Sequence, residues 1–379
     1  GGLQMKRIRI LALLLAIFTV LPLAVACADA GTTSSGTKAP ETETAPATAP
    51  STSTTLYVAV NGSDDADGTK DKPLATLAGA LGKIKTLDKK FTDVEINIGS
   101  GVYSVRETIR FTNENCDGRK VTVRGEDGTV ISGGKTIPSS EFLPADDEFS
   151  ARFTDSAREN IVRVDLKKYG VDVDALLAIS PEHRIITLNG EILTLCRYPD
   201  YGYIKMLSEI DESVWNEPMD VELPRTIIRQ TQNWASLDGV RIFMYVRQLY
   251  NANYLDVLDI DADNKTIKIR AIDEWGTTKK SRCYFINVPE ELTLAGEYYL
   301  SKDGILYIYK TDDFDGGEVC VTTMNDDLIN LDSVENVTLD NLIIQDCNGI
   351  GISGTANYLT VMNSTIRNTN SAIITDSGH

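Results

Sequence analysis

The chain has only two histidines, His183 and His379, which leaves no room for a histidine-rich metal centre or a conventional Ser/His/Asp triad. Positive charge is also scarce: 37 Lys and Arg against 55 Asp and Glu give a formal net charge of −18. Such a surface does not attract a phosphate backbone, so nucleic acid is excluded as a partner. A strongly anionic glycan is disfavoured as well, unless calcium or a local basic patch intervenes. The six cysteines include no CxxC pair, and a disulfide framework would be denser and even. Cys116, Cys196, Cys283, Cys320 and Cys347 read instead as small buried hydrophobes. Finally, no sustained 3.6-residue apolar period runs past residue 56, which argues against a helical bundle.

What is present begins with an export signal. After Met5 come Lys6, Arg7 and Arg9, then an apolar run over 10–26, the pattern of a secretory leader. The segment AVAC at 24–27 resembles a bacterial lipobox, with Ala24 where leucine is usual and Cys27 as the residue that takes the lipid. Ordinary cleavage after Ala28-Asp29-Ala30 is the rival. Residues 28–55 are almost wholly Ala, Thr, Ser, Pro, Gly and Glu, a composition that behaves as a flexible linker. A signal peptide at 5–27, a linker and a folded body describe an exported protein, held at the cell surface by a lipid anchor on Cys27 or secreted.

The body is predicted to be all-β. One short helix is expected over 74–86; elsewhere brief apolar runs such as EINIGSGVY, KVTVRG and DGVRIFMYV end at Gly, Asn or Asp. Near the C-terminus the sequence repeats. A shift of 22 residues places Val337 on Leu359, Leu339 on Val361, Asn341 on Asn363, Ile344 on Ile366 and Ile352 on Ile374. That period is about one rung of a parallel β-helix, in which strands are unpaired until the next rung stacks about 4.8 Å away. Inward Ile, Leu and Val then form columns, and the repeated Asn can bond up a corner column. The period is lost over 145–322, which holds all three tryptophans and a hairpin, LDVLDIDADNKTIKIRAI. The expected organisation is therefore an N-terminal cap with first coils at 56–144, an inserted β-rich subdomain at 145–322, and further coils at 323–379.

Three stretches carry a resemblance. LYVAVNGSDDADGTKDKPLATLAGAL (56–81) resembles the opening motif of secreted right-handed parallel β-helix proteins, in which a helix caps the first coil. RIITLNGEILTLCRYPDYGYIKM (184–206) and YFINVPEELTLAGEYYLSKDGILYIY (284–309) are similar to segments of a carbohydrate-active group that includes glycoside hydrolase family 141. The resemblance implies a right-handed parallel β-helix with a capping helix and an inserted β-domain. It also implies hydrolysis of a plant or host polysaccharide by paired carboxylates, in a protein monomeric at full length. Members of that group continue for many more coils, which carry their catalytic carboxylates; the resemblance thus implies a chain truncated at His379.

Glycoside hydrolysis needs two carboxyl groups about 5–5.5 Å apart for retention or about 6.5–9.5 Å for inversion. Asp332 and Asp376 fall near one turn two rungs apart, through Gly354, with Asp346 less well aligned and His379 beside Asp376; these four are the catalytic candidates. Against them stands the ordinary use of Asp in turns, where it tolerates left-handed backbone. Arg197, Tyr198, Tyr201 and Trp234 are candidate sugar contacts, since pyranose faces stack on rings, or else they form the seam beneath the insertion. Asp64, Asp65 and Asp67 offer oxygens for calcium, the one cofactor the sequence suggests, although a solvated turn is the plainer reading. Two rivals to a hydrolase remain open: a non-catalytic glycan-binding surface protein, and a β-helix polysaccharide lyase.

Overall fold

The computed structural model describes residues 52–153, 155–209, 217–245, 247, 249–270 and 276–376. The leader, Cys27, nearly all of the linker, Trp215, Trp275 and His379 lie outside the described residues. Among those described, no helix is long and apolar enough to cross a membrane.

Two parallel sheets share one hydrophobic core. The first runs, in spatial order, through Ser53–Val58, Asp93–Ile98, Lys120–Gly125, Val337–Asp340 and Thr360–Met362. Alternation aims every second side chain inward, so register builds a column: Leu56, Ile96, Val123, Leu339 and Val361 lie side by side across all five strands. In the second sheet Tyr103, Ile131, Ile344 and Ile366 are aligned in the same way, as are Ile109, Ile329, Ile352 and Ile373. The sequence repeat places Ile352 on Ile374. An irregularity between Cys347 and Ile350 shifts the register by one residue and moves the partner to Ile373.

Left-handed corners make the period physical. Asn341 and Asn363 have φ of 54° and 51°, Asp346 and Asn368 have 63° and 54°, and Asn336 and Tyr358 have 56° and 59°. Each pair is separated by 22 positions, and Asn and Asp tolerate this conformation better than most residues. The expected Asn-to-Asn ladder is not how these corners bond. Asn363 donates its side-chain amide to Asp340 Oδ1 (2.9 Å), and Asn341 donates to the Gly125 carbonyl (3.0 Å), both on the neighbouring parallel strand.

The helix is shorter than its apolar pattern suggests, Leu77–Ile84, and buries Leu77, Ala80, Leu81 and Ile84 in the same core. Thr76 caps it by accepting from Gly79 N at 2.8 Å.

The chain leaves the parallel sheets after Thr129–Ser132 and returns with Ile329–Glu335, which pairs with Ile109–Thr112. The strands between are almost all antiparallel and form three sheets over their own cores. The change starts earlier than residue 145, since Gly134–Pro138 already pairs antiparallel with Glu318–Thr322. The hairpin lies where the alternation puts it, Ala252–Asp261 against Thr266–Arg270, with a bulge between Val257 and Asp259.

Candidate functional site

The coil candidates separate. Asp332 is exposed and pairs with Thr355, which pairs with Asp376 two strands away. The link runs through Thr355, since Gly354 partners Leu331 and Thr375. The backbone thus sets both aspartates at one register position, about 10 Å apart at the usual strand spacing. Asp346 is different in kind. It is fully buried, and it accepts from Ser132 Oγ (2.9 Å), Gln345 Nε2 (2.8 Å), Cys320 Sγ (3.4 Å) and Asn368 Nδ2 (3.1 Å). An acceptor with every direction filled and no path to water ties strands together and does not meet a substrate. The Cys320 thiol is pushed far up by burial and by the Asp346 carboxylate.

The loop at 61–68 caps the helix. Asp64 Oδ1 accepts from the Ala75 and Thr76 amides, both at 2.9 Å, and Oδ2 accepts from Thr76 Oγ1 at 2.7 Å. Asp65 and Asp67 stand outside this network, Asp67 in an exposed ion pair with Lys72. Among the described residues no group of three His, Cys, Asp or Glu side chains converges as a metal site would require.

The candidate sugar contacts split between interior and surface. Trp234 is buried, donates Nε1–H to Glu291 Oε1 (2.7 Å) and packs edge-on against Phe285 and Tyr198. It is a core residue of the insertion and has no face left for a sugar. Arg197 donates to the Pro199 and Gly202 carbonyls (3.0 and 2.6 Å), bracing the loop that exposes Tyr201.

That brace leads to an aromatic surface site. The seven-stranded sheet of the insertion is dry on one side. Arg241–Tyr245 buries Ile242 and Met244, and Arg282–Ile286 buries Cys283 and Phe285. The wet side carries aromatics where an ordinary sheet would carry Thr, Lys or Glu. Register sets Tyr254, Phe243 and Tyr284 opposite one another on three strands. Phe243 stacks on Tyr284 at 4.6 Å and meets Tyr254 edge-on at 5.1 Å. Tyr203 lies 5.7 Å from both Tyr245 and Tyr284, and the Arg197 guanidinium lies 3.7 Å from the centre of the Tyr284 ring. Burial raises the Tyr284 phenol, and hydrogen bonding with Tyr203 raises that of Tyr245. Beside them opens a cleft of about 740 Å³ lined by Tyr203, Lys205, Tyr245, Leu249, Lys280 and Arg282. Tyr245, Tyr284, Lys205 and Arg282 escape the sequence reading. The signal was there in DGVRIFMYV and RCYFI, where the outward slots of an alternating strand hold rings and arginines.

A second group of acids lies deeper. Glu291 and Glu297 are 4% and 3% exposed. Glu297 Oε2 accepts from the Thr293 and Leu294 amides (3.0 and 2.9 Å), yet burial outweighs these bonds and pushes its carboxyl up to about 7. Glu291 is raised for the same first reason. Both belong to the EEL…GEYYL phrase: Glu297 holds its own turn, and Glu291 holds the Trp234 indole and the Gln230 amide in place.

No family model matches the chain. Over 88 residues it is 34% identical to the uncharacterised protein YwoF of Bacillus subtilis strain 168, covering 23% of this chain and 17% of that protein. Among solved structures, one described as a glycoside hydrolase has a TM-score of 0.61 and 19% identity, over 77% of this chain. The chain spans 50% of that hydrolase's length. At this identity the likeness establishes a shared fold. A structure of XylC with xylose covers 80% of this chain and 42% of its own at a TM-score of 0.33 and 14% identity, too weak to bear on the argument.

Proposed function

We propose that this is a carbohydrate-active protein of the bacterial surface, built on a right-handed parallel β-helix related to glycoside hydrolase family 141, that holds a polysaccharide on the wet face of its inserted subdomain. The observation that carries this reading is the Tyr254–Phe243–Tyr284 row with Tyr203 and Tyr245 beside an open cleft. Pyranose rings present apolar faces, and rigid tyrosines bind them at little conformational cost. Shared fold with a chain described as a glycoside hydrolase agrees with it, although fold alone does not confer activity. Export and anchoring through Cys27 complete the proposal, and mass spectrometry of the mature N-terminus tests that part.

A second reading, glycoside hydrolysis by this chain, is favoured by the shared register of Asp332 and Asp376. The backbone separation of about 10 Å is nearer the inverting range of about 6.5–9.5 Å than the retaining one of about 5–5.5 Å. Incubation with a polysaccharide panel separates the readings. New reducing ends that vanish in Asp332→Asn support hydrolysis, retention without products supports binding alone, and a 4,5-unsaturated product supports a lyase. No retention and no products on any polysaccharide would contradict the proposal.

A further inference from the structure

The cleft beside the tyrosines is cationic on an otherwise acidic protein. Lys205 and Arg282 are direct cross-strand partners, so both side chains leave the sheet on the same face. Like charges placed opposite each other destabilise an antiparallel pair. The usual remedy is an intervening carboxylate, as at Arg241, which pairs with Glu182 and Asp256. Lys205, Arg282 and Lys280 have no ion pair with any described residue, and the described lining of the cleft contains no acid. All three are exposed. With a net charge of −18 over the whole chain, three cations around one cleft with no carboxylate partner among the described residues oppose the general field of the molecule.

Resting on the reading that this face holds a glycan, we infer that the cleft selects a sugar bearing a carboxylate: a uronate-containing oligosaccharide, with rings on Tyr203 and Tyr245 and carboxylates on Lys205 and Arg282. The aromatic row supplies affinity for the sugar ring, and Arg282 supplies a planar donor fork that matches a carboxylate. The filled cleft relieves the Lys205–Arg282 repulsion, so charge selectivity is set by residues that cost stability when empty. This also specifies the local basic patch that an acidic chain needs before it can approach a polyanion.

Calorimetry on the full chain, with a galacturonate hexasaccharide and a neutral glucose hexasaccharide of equal length, tests the inference. The acidic sugar is expected to bind about tenfold tighter at 0.1 M salt, and the advantage to collapse at 1 M, where the Debye length falls from about 10 Å to about 3 Å. Lys205→Ala with Arg282→Ala should abolish the advantage of the acidic sugar, and Tyr245→Ala should weaken both sugars. Equal affinity for the two sugars, or an advantage that salt does not change, overturns the inference while leaving glycan binding intact. No binding of either sugar overturns the inference and counts against the glycan reading with it.

Discussion

The parallel sheets and the antiparallel sheets solve the same problem, covering the faces of β-sheets, with different materials. The shared core of the parallel sheets is aliphatic, with Phe111 its only fully buried aromatic, and its columns repeat Ile, Leu and Val in register. The insertion buries Trp234, Phe285, Tyr298 and Phe149, along with Glu291 and Glu297. Parallel strands in register present nearly the same slot each time, so β-branched residues that fit a pleated surface suffice. Antiparallel sheets meeting at odd angles leave irregular spaces, which rings and hydrogen-bonded carboxylates fill. Regularity builds the scaffold, and irregular packing creates the surface on which specificity can sit.

If that contrast is right, the largest effect should come where the two regions are tied. Asp346 joins Ser132, Gln345 and Asn368 of the parallel strands to Cys320 of the insertion. Asp346→Ala should cost about 3–5 kcal/mol by orphaning several buried donors, read from the denaturant midpoint. Leu339→Ala, in the middle of a five-strand column, should cost about 3 kcal/mol. A cost below about 1 kcal/mol would mean that the columns are not continuous.

Glu297 offers a titration test of the antiparallel region. Its carboxyl is raised from an ordinary 4.5 to about 7, so the folded state holds the proton more tightly than the unfolded chain. The resulting stability is complete below about pH 4.5 and is lost as pH rises through about 7, with a span of about 3 kcal/mol. Glu297→Gln should flatten this part of the stability–pH curve between pH 5 and 8. A curve that falls just as steeply in the variant would place the titration elsewhere. The smallest effect on stability should be at the wet face: Tyr245→Ala within about 1 kcal/mol of wild type, with sugar binding lost.

Much of this contrast was legible beforehand. Strand alternation and the 22-residue shift anticipated the pairing of Leu339 with Val361 and of Ile344 with Ile366. Turn chemistry anticipated the tip of the hairpin, where Asp261 accepts from the Asn264 amide. A one-residue irregularity before Ile350 was not legible, because the pattern of side chains does not record a bulge. Nor was the difference between Trp234, which is buried, and Tyr203, which faces the cleft; both are aromatics in polar company, and only tertiary packing separates them. Asp332 and Asp346 posed the same difficulty. Each follows an apolar residue or polar slot near a corner, yet one is exposed and the other has four hydrogen-bonding partners in the interior.

The most direct measurement is a crystal structure of residues 50–379 with a bound uronate oligosaccharide. The account predicts a sugar ring against Tyr203 or Tyr245, with a carboxylate within hydrogen-bonding distance of Arg282 or Lys205. Sugar bound only along the Asp332 strand, with the tyrosine face bare, would contradict it.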